Sequence, residues 1–300
     1  MGLLAKVSDV AAYLGFGWGY ATREKDYLKW GAIMFLAIFA GLALAVGVIA
    51  ASALSFMVSG FSAEGLVASG GAAIAGIVIL LLAVFVLSSY WNVIIVRGTL
   101  NKARGKGNAI SVMKHGAWGM ALKFIALSIV IAIVVSVING VIGLISPVLA
   151  QIVGWLVSIP LMFAAYALVS GDRKFLASIT RSIELVSVNP VTALAAFIAS
   201  VVAVIVFAIV GGIIGIGLVL IAAAALAMGG LGMVIAVVVG IIAAVFALFV
   251  ISFITLFNTG VMALAYVDFD GEAGSRRAAP ARVAVKAAPA RRAPVRKARK

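Results

Sequence analysis

Hydrophobic positions along this chain fall in long unbroken runs, and polar positions fall in short clusters between them. The runs cover about 30–58, 72–96, 119–143, 148–170, 191–226 and 231–266. All exceed the roughly 18 apolar residues that suggest a membrane-spanning helix. The pattern predicts an all-α fold, a polytopic membrane helix bundle of six spans. The last two runs are longer than the roughly 20 residues that cross hydrocarbon. Each must tilt, break or extend into water. "GGIIGIG" at 211–217 and "NTG" at 258–260 are the expected weak points.

The polar clusters have their own periodicity. Leu3, Val7, Val10 and Leu14 share one face of a helix. Asn108 is placed to cap a short helix carrying Ile110, Met113 and Ala117. Asp172 is placed to cap another, with Phe175, Ile179, Ile183 and Val186 on its apolar face and Arg173, Lys174, Arg181 and Glu184 off it. Such helices lie in the membrane interface. Asn189 then caps the fifth span, with Pro190 at its first helical position. The unit of interfacial helix, span, short turn and span occurs three times, over about 1–96, 97–170 and 171–268. The chain divides into an N-terminal interfacial segment (1–29), a six-span domain (30–268) and a basic tail (269–300).

Charge fixes the expected orientation. The connection at 59–71 carries Glu64 and no basic residue, and those at 144–147 and 227–230 carry no charge. The segment 97–118 carries Arg97, Lys102, Arg104, Lys106 and Lys114, with Lys123 just beyond, and 171–189 carries Arg173, Lys174 and Arg181. Basic residues concentrate on the cytoplasmic side of membrane proteins. The expectation is a multi-pass protein of the cell membrane with both termini cytoplasmic. Arg97, Lys102, Arg104, Lys106, Arg173, Lys174 and Arg181 are then the candidate interfacial contacts to anionic headgroups.

Composition narrows the chemistry. Residues are 65% hydrophobic and 11% charged, against about half and a quarter in soluble domains. There is no cysteine, hence no thiol nucleophile, disulfide or Cys-ligated metal. His115 is the single histidine, which argues against a His-based metal site. No Asp, Glu or His lies within the six runs. Ion-coupled transport usually needs ionisable groups at depth, and hydrolysis needs a base or a metal. The sequence therefore predicts no enzyme and no cofactor. Asn92, Asn139, Gln151 and Asn258 are expected to hydrogen-bond between helices. Gly211 and Gly215 form a GxxxG pair suited to close packing, within the chain or in a homo-oligomer. "GFGWG" at 15–19 lacks the flanking strand and Lys-Ser/Thr of a phosphate-binding loop. Pro160 removes a backbone hydrogen bond inside the fourth run and should kink it.

Two longer stretches carry a family resemblance. "SSYWNVIIVRGTLNKARGKGNAISVMKHGAWGMALKF" and "IPLMFAAYALVSGDRKFLASITRSIELVSVNP" resemble an uncharacterised six-span family similar to the membrane domain attached to some glycerophosphodiester phosphodiesterases. In the second stretch a Pro-containing span leads to an interfacial helix ending in a basic–Ser pair, here Arg181 and Ser182. The acidic residue common early in that helix is absent from "FLAS", and the stretch after Pro160 is about one turn longer. The resemblance implies six helices with interfacial helices and a prokaryotic host. It implies no activity, because the hydrolase activity belongs to a soluble domain outside this pattern.

The tail remains. Arg276, Arg277, Arg282, Lys286, Arg291, Arg292, Arg296, Lys297, Arg299 and Lys300 supply +10 of the net +14, with no acidic residue among them. No aromatic residue follows Phe269, so the tail is expected to be disordered. It suits polyanions read without sequence detail. Anionic lipid is the nearest, nucleic acid the second, an acidic protein the third. The expected function is a non-catalytic membrane protein that binds or organises lipid and tethers to anionic surfaces through this tail. The alternative is a transporter or lipid carrier for an apolar substrate.

Overall fold

The structure, a computed structural model, describes residues 3–58, 63–171 and 174–287, with side chains described from Asp9 onward except at 42, 46, 49–50, 52–73 and 272–287. The predicted all-α bundle is observed. Among the described residues ten helices follow in order: α1 (Leu3–Arg23), α2 (Lys25–Val58), α3 (Ala63–Ala103), α4 (Ile110–Lys114), α5 (Ala117–Gly143), α6 (Pro147–Leu161), α7 (Ala164–Gly171), α8 (Phe175–Val188), α9 (Pro190–Leu226) and α10 (Gly230–Ala287). Six stretches are long and apolar enough to cross a membrane: Lys25–Ala45, Ile74–Ala103, Ala117–Gly143, Pro147–Gly171, Pro190–Leu226 and Gly230–Gly271.

The chain forms three helical hairpins, α2–α3, α5–α6/α7 and α9–α10, each preceded by a shorter helix, α1, α4 or α8. Local chemistry explains the turns. Ser146 caps α6 by accepting from Leu149 N (3.4 Å), and Pro147 opens the helix. Gly229, at φ +79°, turns α9 into α10.

One continuous core holds the hairpins together. It draws Tyr20 and Tyr27 from the first hairpin unit, Val93 and Leu100 from the end of α3, and Ala117 and Leu127 from the start of α5. Phe163 and Leu168 join it around α7, Leu185 from α8, Ala193 from α9, and Tyr266 and Phe269 from the end of α10. The start of each outgoing helix therefore meets the end of each returning one. The other end is open: Leu144 and Ile145 are 89% and 79% exposed, and Ile205, Ile213 and Ile241 are likewise uncovered. Lipid can satisfy such surfaces as well as protein can, so packing there is not required.

Several sequence expectations change. Neither "GGIIGIG" nor "NTG" breaks its helix; α9 and α10 are continuous through both. At about 1.5 Å per residue, the 37 residues of α9 are far longer than a bilayer core of about 30 Å. Gly211 packs against Val250 of α10, where an added Cβ would come within 2.8 Å of Cγ1, while Gly215 has nothing within 4 Å. The two glycines thus do not form a single interface. The fourth span is two helices, because Pro160 interrupts it between α6 and α7. The N-cap of α4 is Ala109, not Asn108, and its side chain makes no capping bond. Lys174 occupies the N-cap of α8; Asp172 and Arg173 lie outside the described residues. Asn189 does sit at the α9 N-cap with Pro190 at its start, though its side chain makes no capping bond.

The tail also differs in part. α10 continues to Ala287, so Arg276, Arg277, Arg282 and Lys286 lie along a helix rather than in an irregular segment. Alanine, the strongest helix former, recurs through 278–287. Arg291, Arg292, Arg296, Lys297, Arg299 and Lys300 lie outside the described residues.

Candidate functional site

The basic segment after α3 is where chemistry gathers. Hydropathy drops after residue 96, but the helix does not stop there; it runs to Ala103. Arg97, Leu100, Asn101 and Arg104 consequently recur at three- and four-residue spacing on one helical face. Gly105 then ends the helix at φ +69°. Its N–H donates to Lys102 O (3.0 Å), and the Lys106 N–H donates to Asn101 O (2.7 Å). This pair of bonds is the left-handed glycine cap that closes helix C-termini. A side chain at 105 would resist that backbone conformation.

The cap leaves a pocket between the end of α3, α4 and α7. Its volume is about 230 Å³, and Arg97, Leu100, Asn101, Arg104, Val112, Met113, Val169 and Ser170 line it. Arg97 Nη1 donates to Met113 O (3.3 Å) and His115 O (2.9 Å). These bonds hold the guanidinium against α4 without a carboxylate partner among the described residues. Asn101 Nδ2 donates to Gly107 O (3.3 Å), and the Ser170 and Tyr266 hydroxyls are 2.8 Å apart. Among the described residues Arg104 makes no ion pair and no side-chain hydrogen bond.

The other candidate basic residues behave differently. Lys102 faces away and pairs with Glu24 (2.8 Å). Lys106 and Lys174 are exposed, as Arg104 is, but they do not line the pocket. Lys114 lies 3.9 Å from the centroid of the Trp30 ring, a cation–π contact that ties α4 to α2.

Arg181 is not an interfacial contact. It is 5% exposed. Its Nη2 and Nε donate to Asp270 Oδ1 at 2.6 and 3.2 Å, and Nη1 donates to Glu184 Oε2 at 3.1 Å. Burial acts to lower its pKa, but the bonds to Asp270 and Glu184 outweigh that and raise it overall. The buried face of α8 is wider than the expected one. Val186 is buried and Phe175 and Ile179 pack against the core as expected, but Ser178, Arg181, Ser182 and Leu185 are buried beside them, while Ile183 and Leu176 point out. In lipid an outward apolar residue carries no penalty, whereas a buried arginine needs its partners.

Ser182 explains why the chain tolerates the break at Pro160. Its hydroxyl donates to Pro160 O (2.6 Å) and accepts from Phe163 N (3.1 Å), satisfying backbone groups that the interrupted helix leaves free. The Asn258 amide oxygen accepts from the Ser200 hydroxyl, joining α9 to α10. Asn139 instead lies against Gly154, and its buried oxygen has no partner among the described residues. Gln151 is exposed.

Two sequence motifs meet in space. A Cβ at Gly17, in "GFGWG", would fall 2.7 Å from Phe257 O and 2.7 Å from Val261 Cγ2. A Cβ at Gly260, in "NTG", would fall 2.9 Å from Gly17 Cα. Both glycines serve the close crossing of α1 and α10. A similar fit joins α2 to α3: Gly98 leaves room for the Tyr27 ring, whose hydroxyl donates to Asn108 O (2.6 Å).

The face Arg97–Asn101–Arg104 was readable as spacing, but only to a reader who continued α3 past the hydropathy drop. Asp270, which pairs with Arg181, and the residues packed on Gly17 leave no local signal, since they lie on α10. The fold defines an all-α, multi-pass membrane protein. Comparison with protein-family models, with curated proteins and with solved structures gave no match.

Proposed function

We propose that this chain is a non-catalytic membrane protein that gathers anionic lipid at its basic end and tethers to anionic surfaces through its C-terminal tail. One observation carries the reading. The described charged side chains fall in 9–29, 97–123, 174–184 and 268–270, and residues of all four segments meet in the single core. Among the described side chains the charge is therefore gathered at one end of the bundle, and the rest is uncharged. The positive-inside rule assigns that end to the cytoplasm; both termini are then cytoplasmic in the cell membrane. The kinship proposed with the membrane domain of glycerophosphodiester phosphodiesterases agrees with a lipid-facing role and adds no activity.

Each basic residue near an anionic surface contributes about 1 kcal/mol. The ten tail residues follow in sequence on the last membrane span, so lipid is favoured over a distant polyanion. The test uses full-length protein in phosphatidylcholine nanodiscs. It should capture phosphatidylglycerol vesicles at low salt and release them as salt rises, and a 1–270 truncation should capture several-fold less. Capture of duplex DNA with no capture of vesicles would transfer the tail to nucleic acid. Flux of an apolar substrate into liposomes that survives the truncation would favour the carrier reading.

A further inference from the structure

We infer that the pocket formed by Arg97, Asn101, Arg104 and Ser170 is a discrete site for a phosphate group, with a phospholipid headgroup as its favoured source. The inference rests on the lipid-binding reading above and goes beyond it. Bulk attraction needs only surface charge, whereas this is one formed site.

Charge points to an anion. Among the described residues the lining includes two arginines and no carboxylate. Arg97 spends Nη1 on two backbone carbonyls, leaving the rest of its guanidinium to a ligand. Arg104 has no protein partner among the described residues. Two guanidinium groups in one pocket suit an anion that takes two-pronged hydrogen bonds, and phosphate is the common example. Asn101 and Ser170 add polar groups at the same wall.

Placement narrows the source. Arg97 lies near the end of a span, and basic pockets between transmembrane helices on the cytoplasmic side take phosphate headgroups. Leu100, Val112, Met113 and Val169 supply an apolar side on which a glycerol backbone can rest. Size agrees. A volume of about 230 Å³ is below the roughly 300–1,000 Å³ of sites that enclose a whole drug-sized ligand. The pocket admits a headgroup while the acyl chains stay in lipid.

The backbone at both arginines and the Arg97 side chain are also pre-formed. The Gly105 cap fixes where Arg104 leaves α3, and the Met113 and His115 carbonyls fix Arg97. Little side-chain freedom is left to lose at Arg97 on binding.

The experiment compares two single-charge losses, one in the pocket and one outside it. Full-length wild type, Arg104→Gln and Lys29→Gln are placed in phosphatidylcholine nanodiscs containing a minority of phosphatidic acid; Lys29 is exposed and does not line the pocket. Retained lipid is counted by native mass spectrometry, and melting temperature checks folding. Wild type and Lys29→Gln should retain phosphatidic acid, and Arg104→Gln should retain it about tenfold less or weaker still, the loss expected for one charged hydrogen-bonding group. Arg97→Lys, which keeps the charge and a donor for the carbonyls, should weaken retention without lowering the melting temperature. A parallel titration with glycerol 3-phosphate in pure phosphatidylcholine nanodiscs assigns the source. Arg104-dependent binding there, without lipid retention, keeps the phosphate site but makes its ligand soluble. Equal behaviour of Arg104→Gln and Lys29→Gln in both arms overturns the site. If these variants match while wild type still enriches anionic lipid, only the pocket fails. If wild type enriches none, the broader reading fails.

Discussion

At position 181 a buried guanidinium is held between a carboxylate on its own helix and one 89 residues away on α10. Removing one partner of such a pair is costlier than replacing the arginine, because it leaves a charge buried and unpaired. Asp270→Asn should destabilise the protein by about 3 kcal/mol, the low end for buried pairs, since Asp270 is one-third exposed. Arg181→Met should cost less, because a methionine fills the space without a charge. Thermal unfolding in detergent compares the two, and equal losses would contradict this account. The pH behaviour follows from the raised Arg181 pKa. A folded value above the unfolded one gives stabilisation that is complete below the ordinary arginine range. It fades only as pH rises through the folded value. The arginine therefore stays charged throughout the physiological range. Residue-level chemistry of this kind is only partly legible in sequence. Arg181 and Ser182 stand out as a pair, but their partners, Asp270 and the Pro160 carbonyl, are identified by contact alone.

Between elements, the α1–α10 crossing depends on two glycines that sequence places 243 positions apart, at 17 and 260. Gly17→Leu must push Phe257 and Val261 away, and overpacking of this sort costs about 1–3 kcal/mol. The expected outcome is local. α1 should loosen and become accessible to protease near Arg23, while the α2–α3 hairpin keeps its protection. Limited proteolysis with peptide mapping checks it; unchanged cleavage at α1 would show that the crossing is not tight. The same scale explains the polar part of the buried face of α8. Helical periodicity finds an apolar stripe, and Phe175, Ile179 and Val186 of that stripe do meet the core, but in a membrane protein an apolar residue such as Ile183 faces lipid as readily as protein. The hairpin pattern was legible because it needs only run length and turn chemistry. The burial of Ser178, Arg181 and Ser182 was not, because hydrophobicity no longer distinguishes inside from outside.

For the whole molecule, the testable consequence is sidedness. The chain has no native cysteine, so single cysteines report position without background. Leu144, in the α5–α6 turn, is 89% exposed, and Ser111 on α4 is exposed at the opposite end of the bundle. In intact cells a membrane-impermeant maleimide should label Leu144→Cys. It should label Ser111→Cys only after permeabilisation. The reverse pattern would place the basic end outside and remove the cytoplasmic tether.

The sequence by itself determined the helical class, the number of spans, their pairing into hairpins and the one-ended charge. Each of these depends on composition along the chain, and a run too apolar and too long for water has only one solvent available. Tertiary structure decided the rest. It turned "GFGWG" and "NTG" into a helix crossing, moved Arg181 from the interface into an ion cluster, and gathered Arg97 and Arg104 around a pocket with α4 and α7. Those outcomes depend on which distant residues meet. In a bilayer that choice is made by shape and by the need to satisfy buried polar groups, not by hydrophobicity.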